Sequence, residues 1–173
     1  IGEGDIHEVF FDDVVVPEAG RLGEEGQAWP IIGWALSHER VGIARYAFSR
    51  RVLDGMVRRL QSQRRFDDPV VQARAGQALA ACEAARLLVY AAARAYDRGE
   101  RCDMEAGMAK YFATEASQEN ALEAMRIFGA YGYSKEYNVE RLYRDAPLLL
   151  IGEGTNELQR IIIARQLIER NKV

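Results

Sequence analysis

The sequence predicts a mainly α protein: an antiparallel, up-and-down four-helix bundle with a short N-terminal β segment. Three observations carry this. Apolar residues recur at three- and four-residue steps through long stretches of the chain. The breaks between those stretches are short and hold Gly, Pro or Asp, so consecutive helices must fold back on one another. β-formers concentrate only near the start, in Val9-Phe10-Phe11-Asp12-Asp13-Val14-Val15-Val16-Pro17.

That opening run ends at a proline and reads as one or two strands. A ribbon of this size cannot stabilise itself. Residues 1–27 are therefore expected to be the tail end of a β-domain with its linker, and 28–173 a helical bundle domain. The chain starts at Ile1 without an initiator methionine, which fits the C-terminal part of a longer protein and equally a processed chain. Gly20 to Gly26 is a turn-rich linker. A first long helix is expected from about Gly33 to Arg64, on Leu36, Val41, Ile43, Ala47, Val52 and Met56. Phe66-Asp67-Asp68-Pro69 breaks it and starts a second, with Asp68 as N-cap and Pro69 at the first helical position. The second repeats Val71, Ala75, Leu79, Cys82, Ala85 and Val89, and Arg98-Gly99-Glu100 ends it. Asp103 caps a third helix through Met104, Met108, Phe112, Met125 and Phe128, which runs into Gly129-Ala130-Tyr131-Gly132-Tyr133. A short helix near Val139 to Tyr143 precedes an apolar run, Leu148 to Ile151. A closing helix then carries Leu158, Ile161, Ile162 and Ile168. Methionines and aromatics at this spacing read as core, not as a cofactor box.

Composition narrows the function classes. The 173 residues are 49% apolar, with a net charge of −3. Basic residues are almost all arginine and are spread along helices, which argues against nucleic acid or an anionic membrane as partner. No apolar run approaches the ~20 residues of a membrane span, and no signal peptide opens the chain. Cys82 and Cys102 read as reduced thiols of a cytoplasmic compartment. His7 and His38 stand alone, so no metal site is expected.

The most informative stretch is Arg144 to Arg160. It sets one carboxylate, Glu153, between Gly152 and Gly154, after an apolar run and at the mouth of a helix that Thr155 or Asn156 can cap. Apolar neighbours desolvate a carboxylate and make it a stronger base, and flanking glycines let a flat ligand approach the backbone. A plain loop entering a helix, with Glu153 favoured by the helix dipole, has the same spacing and is the commoner situation.

Seven stretches in order carry a resemblance to a known family. They are Glu8 to Pro17, Leu22 to Gly26, Glu39 to Ala44, Met108 to Ala113, Arg126 to Tyr133, Glu140 to Ala146 and Glu153 to Arg160. Over essentially its whole length the chain resembles the C-terminal region of flavin-dependent acyl-CoA dehydrogenases. The resemblance implies the last strands of a middle β-domain followed by a four-helix bundle, in a homo-oligomer (dimer or tetramer) with FAD at a subunit interface. It implies α,β-dehydrogenation of an acyl-CoA thioester, with electrons passed to an electron-transfer flavoprotein.

Position by position, Glu153 matches the catalytic base, and its backbone N–H would help hold the thioester carbonyl. Gly154 would touch substrate, while Thr155 and Glu157 would lie on the flavin dinucleotide. Arg40 matches an arginine near the CoA thioester arm; a surface arginine paired with Glu39 is the equal alternative. In isovaleryl-type members the base sits where this chain has Glu39, so Glu39 is the alternative base.

Two family elements depart from pattern. At the Arg-x-x-Phe-Gly element this chain has Gln63-Arg64-Arg65-Phe66-Asp67, where Arg64 or Arg65 could take over a phosphate contact. The usual glutamine before Ile-Phe-Gly-Gly is Arg126, with Ala130 at the second glycine; arginine is itself a good phosphate partner. The resemblance also leaves room for a non-catalytic oligomerisation module, and for oxidation of a carrier-protein thioester or oxygen-using oxidation.

Overall fold

The computed structural model describes residues 6–39 and 41–172, without the side chains of Ser37, Ile43, Ala44, Arg45 and Phe48. Among them seven helices form: α1 Ala28–Glu39, α2 Ile43–Ser62, α3 Pro69–Asp97, α4 Asp103–Phe128, α5 Ala130–Tyr133, α6 Val139–Ile151 and α7 Asn156–Arg170. Short 3-10 turns lie at Glu18–Gly20 and Arg65–Asp67.

Side-chain pairs fix the direction of each helix. Arg50 of α2 meets Glu83 of α3 at 2.7 Å, while Leu60 and Val71 share a core cluster, so α2 and α3 run antiparallel. Arg74 near the start of α3 pairs with Glu123 near the end of α4, which makes that pair antiparallel too. Arg170 at the end of α7 pairs with Glu105 at the start of α4, 2.5 Å apart, and Asn156 at the other end of α7 reaches Thr114 and Glu115. The four long helices α2, α3, α4 and α7 thus form an antiparallel bundle, and α6 leans on α4.

The core is built largely from small residues. Val89, Ala92, Ala106 and Ala109 are fully or almost fully buried where α3 and α4 face each other. Alanine there lets the two axes approach closely. At one end Leu60, Val71, Ile127, Phe128 and Val139 close the bundle. At the other, Val41 joins Val89 in the same buried cluster.

Local chemistry explains the helix starts. Asp68 Oδ1 accepts the Val70 N–H at 2.8 Å, and Pro69 opens α3 where its missing N–H costs nothing. Thr155 Oγ1 accepts the Leu158 N–H at 3.3 Å and caps α7, one of the two candidates the sequence offered.

Four expectations are corrected. No strand forms among the described residues. Residues 6–17 run exposed over the surface, since the chain offers them no neighbouring ribbon to pair with. The expected single helix from Gly33 to Arg64 is two helices, α1 and α2. Gly42 takes φ 75 between them, a left-handed conformation that ends one helix and starts another. Asp103 does not cap α4: Cys102 stands at the cap, and Asp103 in the first turn pairs with Arg101 at 2.7 Å. The apolar run Leu148 to Ile151 is the last turn of α6, which passes through Pro147 and buries Ala146.

Candidate functional site: the Glu153 turn

α6 and α7 are joined by Gly152-Glu153-Gly154-Thr155. Glu153 has φ 58 and Gly154 φ 85, so two consecutive residues sit in the left-handed region. For Gly154 this is free; for a residue with a Cβ it costs roughly 1–2 kcal/mol. The turn therefore holds its one acidic side chain at a conformational cost, and that side chain is half-buried.

A buried polar network lies under the turn. Lys110 of α4 is only 1% exposed. Its Nζ donates to Asn156 Oδ1 at 2.7 Å and to the Leu150 carbonyl at 3.2 Å, one acceptor on each side of the turn. Asn156 Nδ2 donates to Thr114 Oγ1 at 3.0 Å and to Glu115 Oε1 at 2.9 Å. Gln159 of α7 is fully buried, and its Nε2 donates to the carbonyls of Gly154 at 3.3 Å and Glu153 at 3.5 Å. None of these five side chains, Lys110, Thr114, Glu115, Asn156 and Gln159, stands out in the sequence as a site residue. The sequence signals only their burial: Lys110 and Thr114 lie on the same side of α4 as Ala106, Ala109, Ala113 and Ala116, all of them buried.

The other candidates fall in separate places. Thr155 and Glu157 stand at the start of α7, both exposed. The Glu157 carboxyl is held below the usual carboxylate range by a backbone N–H and then by the Thr155 hydroxyl. Arg126 and Ala130 lie exposed where α4 ends and α5 begins, and Arg64 follows the end of α2 with a left-handed φ of 54. All three are at the end of the bundle closed by Leu60 and Phe128. Arg126 lies more than four helical turns beyond Lys110 along α4, about 24 Å away. Glu39 is exposed at the last position of α1. Arg40 lies outside the described residues.

Arg126 bonds Glu123, which also takes Arg74. Beside it, Gly129 has nothing within 4 Å of where a Cβ would stand, so the backbone there faces open space. A separate apolar cavity of about 480 Å³ sits between α2, α4 and α6, lined chiefly by Leu53, Met56, Ala121, Leu142 and Leu149, with Asn120 and Asp145 among its few polar neighbours. None of the candidate catalytic, cofactor or substrate residues read from the sequence lines it.

A helical bundle that holds a carboxylate on a strained Gly-Glu-Gly turn defines a class that comparison makes specific. A family model described as "Acyl-CoA dehydrogenase, C-terminal domain" matches residues 26–168. An acyl-CoA dehydrogenase of Bacillus subtilis (strain 168) is 42% identical over 168 residues, 93% of this chain and 44% of the relative. Butyryl-CoA dehydrogenase from Megasphaera elsdenii superposes with a TM-score of 0.83 at 34% identity, over 91% of this chain and 43% of that one. A chain in a structure described as the electron transferring flavoprotein of Acidaminococcus fermentans superposes with a TM-score of 0.86 at 33% identity, over 91% and 43%. The chain belongs to the acyl-CoA dehydrogenase family, and it spans less than half the length of these relatives.

Proposed function

We propose that this chain is the helical part of an FAD-dependent enzyme that introduces a double bond between Cα and Cβ of an acyl-CoA thioester, with Glu153 as the base. The observation that carries the reading is the left-handed, half-buried Glu153 in a turn pinned from below by Lys110 and Gln159. A base must meet a C–H bond at a fixed distance and angle, and a glutamate on a rigid turn is suited to that task.

The residues present fit the flavin dinucleotide. Arg126 exposes 57% of its side chain, and Glu123 keeps Arg74 as a partner if Arg126 turns to a phosphate. The open backbone at Gly129 leaves room beside it. Arg64 adds a second exposed guanidinium at the same end of the bundle. Thr155 and Glu157 line the start of α7. The distance between this end and the Glu153 turn favours a flavin shared between subunits over one held by a single chain. FAD, when bound, supplies the acceptor for the hydride that leaves the β-carbon. Glu153 takes the α-proton, and its backbone N–H with neighbouring donors polarises the thioester carbonyl. Gly154 leaves space for the substrate against the turn. Glu39, on the surface end of α1, is the alternative base, and Arg40 the proposed contact for the thioester arm.

The partner for the released electrons is an electron-transfer flavoprotein, a reading favoured by the similarity to the Acidaminococcus structure. The apolar side chains left exposed on α7, among them Leu158, Ile161 and Ile168, favour homo-oligomerisation through the bundle. They equally favour a family member that acts only in assembly. The visible spectrum decides between the two. A flavin band that co-purifies with the protein and bleaches on addition of an acyl-CoA supports the enzyme; a protein that stays colourless with added FAD supports the assembly module.

A further inference from the structure

We propose that Lys110 and Gln159 are positioning residues for Glu153: two buried side chains on different helices that together lock the left-handed turn carrying the base. The proposal rests on the reading of Glu153 above and deepens it.

Lysine is almost never fully buried without a purpose, because removing its ammonium from water is costly. Here the cost is met by acceptors placed on both sides of one turn. The Leu150 carbonyl belongs to the last turn of α6, the negative end of that helix, where a cation is favoured. Asn156 opens α7. Lys110 thus ties the end of one helix to the start of the next and fixes the span that Gly152 to Thr155 must bridge. Gln159 acts one layer up. Its amide reaches the carbonyls of Glu153 and Gly154 themselves, the two residues at positive φ.

Gly107 lies beside Gln159: a Cβ there would stand in tight contact with Ile163 Cγ1 at 3.2 Å and in ordinary contact with Gln159 Oε1 at 3.4 Å. A non-glycine residue at φ 58 is disfavoured on its own, and these bonds help to hold it there.

The test compares Lys110→Met and Gln159→Leu with Leu60→Ala, a cavity-forming change at the far end of the bundle, in the FAD-loaded protein. Three readouts are needed: amide hydrogen exchange across 152–156 and across α3, the rate of flavin reduction by acyl-CoA, and acyl-CoA affinity. Exchange in the turn should rise about tenfold in the two positioning variants while α3 stays near wild type; Leu60→Ala should show no such local rise. Flavin reduction should slow about ten- to a hundredfold, as expected for a misplaced catalytic group, with affinity changed less than about threefold. If Lys110→Met does not fold, Gln159→Leu carries the test. A rise in exchange no greater at the turn than in Leu60→Ala would overturn the proposal, as would a wild-type reduction rate in both positioning variants. Failure of the parent reading has a different signature: Glu153→Gln would itself reduce flavin normally, while exchange would still report whether Lys110 holds the turn.

Discussion

Single atoms decide what the turns of this bundle tolerate. Gly132 lies where a Cβ would stand 2.8 Å from the Met125 carbonyl oxygen and 3.0 Å from its Cα. Backbone cannot move aside cheaply, so Gly132→Ala should destabilise the protein by about 1–3 kcal/mol. Gly76, exposed in the middle of α3 with nothing within 4 Å of its Cβ direction, should behave oppositely. Gly76→Ala should stabilise by about 0.5–1 kcal/mol through helix propensity. Thermal or urea unfolding of the two variants checks both signs. The turn itself was legible, because glycines on both sides of Glu153 and a capping threonine mark a break between helices; the family resemblance is what marks Glu153 as a candidate base, since its spacing alone is shared with plain loops. The network beneath it was not: Lys110 sits inside an alanine-rich stripe whose periodicity says only that the face is buried. Which acceptors meet an ammonium there depends on the packing of α6 and α7, which spacing along α4 does not contain.

Caps and end-to-end ion pairs fix where the helices begin and how their ends meet. Asp68→Ala removes the side-chain acceptor of Val70 N–H and should cost about 1 kcal/mol of stability, measured by denaturant unfolding. The Glu105–Arg170 pair ties the start of α4 to the end of α7, and Arg170 also donates to the Arg101 carbonyl at 3.1 Å. The Arg170 guanidinium is the main cause holding the Glu105 carboxyl below its ordinary value of 4.5. A carboxyl depressed in the folded state stabilises the fold fully above its unfolded value. It loses that contribution as pH falls through the folded one. Glu105→Gln should therefore flatten the fall in stability below about pH 4.5 while changing its pH dependence little near neutrality. Helix starts marked by chemistry, such as Asp68-Pro69 and Thr155, could be read directly. The division of α1 from α2 could not. Leu36, Val41, Ile43 and Ala47 continue a helical period across the break, and only the backbone at Gly42 reveals it. The short helix expected near Val139 to Tyr143 erred in the opposite sense, because α6 continues through Pro147 to Ile151.

For the whole molecule, the antiparallel order of α2, α3, α4 and α7 followed from short connections and apolar periods, which a sequence displays in full. The fate of the opening segment did not. Phe10, Phe11 and Val15 are more than 80% exposed, and their β-forming composition meets no ribbon within the described chain. The exposed apolar residues of α7 lead to a prediction about assembly. Ile161→Glu should shift the protein toward monomer in sedimentation or light scattering while leaving helix content unchanged. An unaltered assembly state would count against assembly through this face of α7. The two thiols should stay quiet in the folded protein. Cys82 and Cys102 are free and buried, and burial pushes both pKa values up, so alkylation near neutral pH should follow global unfolding.

In the function proposed above, the carboxylate on the strained turn, not the one at the end of α1, removes the α-proton. Rapid mixing of acyl-CoA with the FAD-loaded protein, followed at the flavin absorbance band without oxygen, tests it most directly when Glu153→Gln and Glu39→Gln are measured side by side. Glu153→Gln should bind flavin and acyl-CoA without bleaching, while Glu39→Gln should bleach within about tenfold of wild type. Bleaching that survives in Glu153→Gln and disappears in Glu39→Gln would contradict this role for Glu153 and move the base to α1.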